Sequence, residues 1–553
     1  MTEHPTTNED GDKLRGFRWK PRWPLAALIG AVVLTLALLA ADRWTRLETG
    51  EDLGVDVFYH VTMADAGPLA CLRKTFPQTT MSIWSEHFYD KEFLFHFILG
   101  CVRKWEEILG LPMGAPFNFD ALFFAALGVC AFAFAAYKTN ARKAFLFVLP
   151  FAFVAPGFTS RLLMLRPHHL SIILMVLAAV FFAKIKNRKG LWIPAVFGFL
   201  YVYSYSNPHF LVFPAVAWGA VMAFQGKRRL ALELVGATLL SLIVAMTLHP
   251  QFPNTFFVWK VQCVDVVREI LFKDKEVGIG NELVSPKPLW LLHNVAHPLL
   301  ACVNMALAFR LLRAPRWNWK ALRPDTWVYL ALQTLFAIGL LVSLRFIEYG
   351  IPFAMLATLA LWRDSSDDVS GSGFWRPAWR TLTAVLLAGA LGMVVWGRCL
   401  VIGPTREFAD FKRWAARHLP PGTLVASLDW GDFPLLFYAA PHCKYLVGLD
   451  PTFGYAYNSD ATMKLRRLKA GKRAVSPEEL ARITGAKIAF VGFRNNSNVM
   501  WAKALVRQLG YDPIYLSKDG AAFLLPDPNA KSKKKNVGGA GKPARAPSPR
   551  EGI

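Results

Sequence analysis

Charge is scarce in this chain, and negative charge is scarcer still. Charged residues make up 18% of 553 positions, with 39 acids against 63 lysines and arginines. Cysteine is also sparse. The seven cysteines (71, 101, 130, 263, 302, 399 and 443) form no CxxC pair and are odd in number. Several lie in or beside apolar runs, which argues against a zinc site or a disulfide framework. No GxGxxG follows a strand-like stretch, so no dinucleotide site is implied. No internal repeat relates one half of the chain to the other, as the halves of a transporter or flippase would be related.

What the chain has in quantity is apolar sequence: 54% hydrophobic and 14% aromatic residues, with a mean hydropathy of +0.30. A helix of about 20 apolar residues spans a bilayer core, and runs such as Pro24–Ala41 and Thr381–Leu400 qualify. Eleven spans are expected, near 24–41, 119–137, 143–157, 168–184, 191–206, 210–225, 229–249, 289–312, 326–344, 346–362 and 380–401. The fold class expected is therefore a polytopic α-helical membrane protein. The first run has no clean small-residue cleavage site after it and reads as a span, not a signal peptide.

The net charge of +24 would suit a nucleic-acid binder, but its distribution does not. The basic residues sit in both tails and in alternate short loops, including KTNARK, KIKNRKG and QGKRR, as the positive-inside bias places them. Membrane lipid, not nucleic acid, is the expected partner. This pattern makes residues 1–23 a cytoplasmic basic tail and puts the C-terminus outside. Residues 24–401 form the transmembrane domain, with a long outer, periplasmic first loop at 42–118 and a second outer loop at 251–288. Residues 402–527 read as a soluble periplasmic α/β domain. TLVASL, KYLVGL and AKIAFVGF look like strands, while PLLFYAA and VMWAKALVRQLG have helical spacing, so a small parallel sheet is expected. The Lys-, Gly- and Pro-rich tail 528–553 should be disordered.

The topology collects ionisable residues at one membrane level. Asp56, His60, Asp90 and Glu92 lie in the first outer loop. Arg161, Arg166, His168 and His169 lie beyond the third span, His209 after the fifth, and Arg345 and Glu348 between the ninth and tenth. Ionisable side chains at span ends that are not simple anchors point to function. Carboxylates can serve as a general base or hold a divalent cation, and arginine can grip a phosphate through its fork. Each residue also has a plainer reading. Asp56 or Asp90 could cap a helix, Arg345 and Glu348 could pair with each other, and Lys91 and Arg103 could be snorkelling anchors. In HFYDKEFLFHFILG, Asp90 and Lys91 read as cap and anchor, and Glu92 as a site residue with Asp56.

The order of GVDVFYHVTMADAG, FPQT and YDKEFLFHFILG along the first loop resembles that of bacterial GT-C glycosyltransferases. The later RPHHLS, RFIEYGIP, SLDWGDFPLLFY and LVGLDPTFGY fit the same family, and the resemblance covers roughly residues 24–527. It implies a GT-C-like fold of about eleven spans, a polyprenyl-phosphate-linked sugar donor and a glycan, lipid or protein acceptor on the outer face of the bacterial inner membrane. It also implies a catalytic acid in the first outer loop, at Asp56, with Glu92 beside it. His60, Arg166, His168, His169, His209, Arg345 and Glu348 are then candidates for binding substrate. No WWDYG-like acceptor motif and no adjacent Asp-Glu pair occurs, which leaves acceptor and metal dependence open. A non-catalytic scaffold of the same fold, or a transporter of lipid-linked sugars, are the alternatives.

Overall fold

The computed structural model describes residues 23–48, 54–111, 117–265, 268, 285–313, 318–367, 374–397, 407–427, 429–469, 477–493 and 513–527. Both basic tails, residues 269–284 of the second outer loop and the helix-like VMWAKALVRQLG lie outside them. Helix α1 (Trp23–Glu48) leads into the loop expected to be the first outer one, where α2 (Asp56–Ala66) and α3 (Phe93–Ile108) form. The ten remaining apolar segments carry α4 (Asn118–Asn140), the pair α5 (Phe145–Phe153) and α6 (Pro156–Leu163), α7 (His168–Phe182), α8 (Trp192–Ser204), α9 (Val212–Phe224), α10 (Arg228–Leu248), α11 (Ala296–Arg313), α12 (Pro324–Leu340), α13 (Ile347–Asp367) and α14 (Trp375–Gly397). Each of the eleven expected segments is thus helical. Among the described residues, five helices are each long and apolar enough to cross a bilayer, and six if α5 and α6 count as one bent span. The chain is a multi-pass membrane protein.

Helix α13 is the centre of the bundle. Ile351, Phe353, Met355, Leu356, Leu359 and Leu361 are all buried, as expected of a helix that is apolar all round. Helices α1 and α14 instead leave Ile29, Val33, Val385 and Val395 exposed, the arrangement of helices that face lipid. Because lipid is as apolar as leucine, polar contacts bind helices together. The Asn304 amide on α11 donates to Gln333 on α12 and to the Ala354 carbonyl on α13, at 2.8 and 2.9 Å, and accepts from the Thr358 hydroxyl at 2.9 Å.

One expected span is broken. Helices α5 and α6 meet at 89°, where a continuous span was expected at 143–157. The break falls at Ala155, which is extended (φ −137°, ψ 118°) because the following Pro156 disfavours helical geometry in its predecessor. The bend carries Arg161, and Arg166 just beyond it, to the end of the bundle covered by α2 and α3.

The C-terminal sheet has strands β1 (Leu424–Ser427), β2 (Lys444–Tyr445), β3 (Ile488–Gly492), β4 (Tyr515–Leu516) and β5 (Gly520–Leu524), in the order β2-β1-β3-β5-β4. The expected parallel part is there: β1 runs parallel to β2 and β3, with Val425 opposite Tyr445 and Ile488. The sheet as a whole is mixed, because β5 is antiparallel to both β3 and β4. A tight turn joins β4 to β5, with the Ser517 N–H donating to the Gly520 carbonyl at 3.0 Å. So short a connection permits only antiparallel pairing.

The first outer loop joins this sheet. The Tyr445 N–H donates to the Gln78 carbonyl at 2.8 Å, and the Thr80 N–H donates back to Tyr445 at 3.0 Å. Residues 78–81 therefore continue the sheet beyond β2, satisfying an edge that would otherwise be open. Trp84 then packs between Tyr59 and Phe453, with ring centroids 5.7 and 5.2 Å away. Tyr59, Phe76, Trp84, Phe433, Phe437 and Tyr445 belong to one apolar core shared by loop and sheet. Gly448 makes that fit. A Cβ there would lie 2.5 Å from the Trp84 ring. Gly448→Val should therefore overpack the joint at a cost of about 1–3 kcal/mol. Thermal unfolding in detergent should show a lowered midpoint, and an unchanged one would mean that the loop and sheet do not depend on each other.

Candidate active site

Two helix starts in the outer loop build the site. Helix α2 begins at Asp56, after Gly54 has turned the chain with a positive φ of 75°. Asp56 does not cap the helix. It stands in the first turn, where negative charge meets the positive end of the helix dipole. His60 follows one turn later on the same face. Asp90 does not cap helix α3 as expected; it makes a turn just before it, its Oδ1 accepting the Glu92 N–H at 3.2 Å. Glu92, the residue before α3, makes no capping bond. Its Oε2 lies 3.9 Å from His60 Nδ1.

Asp90 has a second contact. Its Oδ2 lies 2.8 Å from His96 Nδ1, and His96 Nε2 lies 2.9 Å from His60 Nδ1. Asp90, His96, His60 and Glu92 form one buried polar chain. His96 was not a candidate from sequence, although its place four residues after Glu92 puts both on one face of α3. Burial dominates the electrostatics here. It pushes the Glu92 carboxyl up, against the pull of Lys91 and His96. It pushes His60 well down, helped by His96, Arg166 and Lys91. Burial also opposes charge on His96, but the Asp90 charge and hydrogen bond outweigh it and the net shift is upward.

The expected anchors Lys91 and Arg103 are not surface residues. Lys91 is buried, donates to Gln262 at 2.9 Å and lies 4.0 Å from Glu92 Oε1. Arg103 is buried and bonds both Asp65 oxygens at 2.6 and 3.1 Å, with Asp120 3.5 Å away. Both side chains turn inward because acids or amides of neighbouring elements await them there, which a linear reading does not reveal.

The bundle supplies the opposite wall. Arg166 reaches across to Asp56, with Nη2 2.9 Å from Oδ2. Gly54 lies against the same guanidinium, where a Cβ would come within 3.1 Å. The turn that presents Arg166 is held by the two histidines after it. His168 Nε2 bonds the Arg161 carbonyl at 2.8 Å, and His169 Nε2 bonds the Met164 carbonyl at 2.7 Å. Carbonyls only accept, so both rings carry hydrogen at Nε2. In this arrangement both expected substrate ligands act as props for the turn. Glu348, fully buried, pairs with Arg161. Arg345, three residues before it, follows Ser343, whose hydroxyl accepts the Arg345 N–H. His209 accepts the Trp259 indole N–H at 3.3 Å, and none of its contacts is with Asp56, His60 or Glu92. In the C-terminal domain, Asp429 and Asp450 serve turns, accepting the N–H groups of Gly431 and Thr452 at 3.1 and 2.9 Å.

The two expected catalytic carboxylates differ in access. The Asp56 side chain is 21% exposed and that of Glu92 only 7%. Asp56 is thus the more accessible of the two, with an arginine beside it.

No protein-family model matches the chain, and no curated protein matches it. Solved structures do. One is the Archaeoglobus fulgidus oligosaccharyltransferase tethered by a disulfide bond to an acceptor peptide containing the NVT sequon. It aligns at a TM-score of 0.54 and 11% identity, over 88% of this chain and 71% of that one. Another is the same enzyme in complex with Zn and sulfate, at a TM-score of 0.52 and 12% identity, over 86% and 69%. The fold is GT-C-like. At such low identity the likeness speaks for architecture alone, and the GT-C-like fold is met here in an archaeal relative, whereas the sequence motifs pointed to bacterial ones.

Within this GT-C-like fold the Arg161–Glu348 pair ties α6 to α13. Removing one partner of a buried ion pair costs about 3–5 kcal/mol. Arg161→Ala should therefore lower the unfolding midpoint strongly, while Arg161→Met combined with Glu348→Met should recover most of the loss. Equal losses in the single and double variants would show that the two residues do not stabilise as a pair.

Proposed function

We propose that this protein is an inverting glycosyltransferase of the bacterial inner membrane. It moves a sugar from a polyprenyl-phosphate-linked donor to an acceptor hydroxyl outside the cytoplasm. The observation that carries this reading is the contact between Asp56 and Arg166, at 2.9 Å. The residue suited to be the base and one suited to hold a phosphate are 110 positions apart in sequence and meet in space. Single-step transfer needs the two groups close together but on opposite sides of one reacting carbon, so in this reading the pair parts to admit donor and acceptor between them.

In this mechanism Asp56 takes the proton from the acceptor hydroxyl. The acceptor oxygen forms a bond to the anomeric carbon as the bond from that carbon to the phosphate oxygen breaks. The electron pair leaves with the lipid phosphate, and direct displacement inverts the anomeric centre. Arg166 neutralises the charge that develops on the leaving group. Arg345 is the second candidate for the phosphate, and His168 and His169 set the turn on which Arg166 stands. Glu92 is the second carboxylate of the site. In the same reading residues 1–23 are cytoplasmic, 24–401 form the membrane domain with its periplasmic loop at 42–118, and 402–527 form a periplasmic domain that closes over the loop.

Two experiments test the reading. Asp56→Asn keeps size but removes basicity, and a general base contributes roughly 10²–10⁴-fold. Transfer by purified protein from a radiolabelled polyprenyl-phosphate sugar should fall by that factor, with yield and folding unchanged. Normal turnover in the variant would move the base to Glu92, and a wild-type protein that transfers nothing would favour the scaffold. For the topology, Leu516 is 65% exposed. In a cysteine-depleted background, Leu516→Cys should react with an impermeant maleimide from the periplasmic side. Reaction only after the inner membrane is opened would place the domain, and the site with it, in the cytoplasm.

A further inference from the structure

The polar chain behind Asp56 has the geometry of a metal centre. One donor atom each from His60, Glu92 and His96 lies within 4.8 Å of the others. All three residues are buried, at 2%, 5% and 1% exposure. Two helices supply them: α2 gives His60, and the start of α3 gives Glu92 and His96.

The tautomer of His96 follows from Asp90. A carboxylate 2.8 Å from Nδ1 accepts from it, so the neutral ring carries hydrogen at Nδ1 and a lone pair at Nε2. That lone pair points at His60 Nδ1, 2.9 Å away. Two ring nitrogens in this position share either a proton or a cation. A histidine that gives its other N–H to a carboxylate is the usual outer support of a metal ligand, since the carboxylate fixes ring orientation and raises basicity. Glu92 divides its oxygens in a matching way. Oε1 is the one 4.0 Å from Lys91, and Oε2 is the one 3.9 Å from His60.

We propose that His60 Nδ1, His96 Nε2 and the Glu92 carboxylate bind a divalent transition metal of the zinc class, with Asp90 orienting His96. Two imidazoles and a carboxylate suit such an ion, whereas Mg²⁺ and Ca²⁺ prefer oxygen throughout. Bond lengths of about 2.0–2.1 Å in a tetrahedral site need the two nitrogens to part by only a few tenths of an ångström. The lack of paired cysteines argued against zinc, but this set uses none. Asp56 is not a ligand, being engaged by Arg166. The metal joins the helix that carries Asp56 to α3 and so positions the candidate base. Binding releases the proton between the rings, because the ligand atoms must be deprotonated.

The inference goes beyond the sugar-transfer reading and stands without it, since it is read by binding alone. Full-length protein, stripped with EDTA in detergent, is titrated with Co²⁺ and followed by visible d–d absorption, and with Zn²⁺ followed by elemental analysis after dialysis. One equivalent per chain is expected, with a tetrahedral Co²⁺ spectrum that Zn²⁺ abolishes. Asp90→Asn should weaken binding roughly 10–100-fold. The double variant His60→Ala with His96→Ala should lose the spectrum, while His87→Ala, outside the set, should keep it. Wild-type protein that shows no saturable Co²⁺ or Zn²⁺ binding would overturn the proposal, and so would a spectrum that survives loss of both histidines. If the double variant does not fold, Glu92→Gln replaces it: an altered spectrum supports the set, and an unaltered one refutes it.

Discussion

The contact between Arg166 and Asp56 is the point on which the candidate site depends. It joins a largely buried loop helix to a corner of the membrane bundle. Everything around it serves the approach. Pro156 breaks a span so that the chain can turn, and His168 and His169 hold the turn through two carbonyls. Gly54 removes the side chain that would otherwise press on the guanidinium. A charge pair near a membrane is costly to desolvate and is kept where geometry and further hydrogen bonds offset that cost. Here the geometry comes from both sides at once.

A second constraint lies above the first. The loop shares an apolar core with the C-terminal sheet, and that sheet has an edge to cover. Residues 78–81 cover it by pairing with Tyr445, and Trp84 is seated against Gly448. The α/β domain is therefore part of the wall that fixes α2. Asp429 and Asp450 serve turns, and Asp432 bonds the Gly492 N–H at 3.1 Å inside the domain.

Fold and function separate clearly in this molecule. The likeness to an oligosaccharyltransferase at 11% identity secures an architecture. The site itself is read from this chain alone: an arginine faces Asp56, and two histidines and two carboxylates line up behind it. A transporter reading would want pseudo-symmetric halves. A bundle closed at one end by a loop and a domain sharing a core suits a fixed site at the membrane surface better.

Hydrophobic periodicity and length sufficed to place every apolar segment, because each helix in a membrane must satisfy its backbone within itself. The parallel strands β1, β2 and β3 were legible for a similar local reason, as apolar runs between turn residues. The bend at Ala155 was not read from sequence, although Pro156 signals it, because apolar composition ran on unbroken across it. Nor did sequence reveal that Lys91 and Arg103 turn inward, that Glu348 takes Arg161 as a partner, or that His96 links Asp90 to His60. Those pairings join residues from 6 to 187 positions apart. Local composition carries no information about which distant charge will be brought within 3 Å, because that is settled only when helices pack and buried polar groups must find partners or pay the full cost of desolvation.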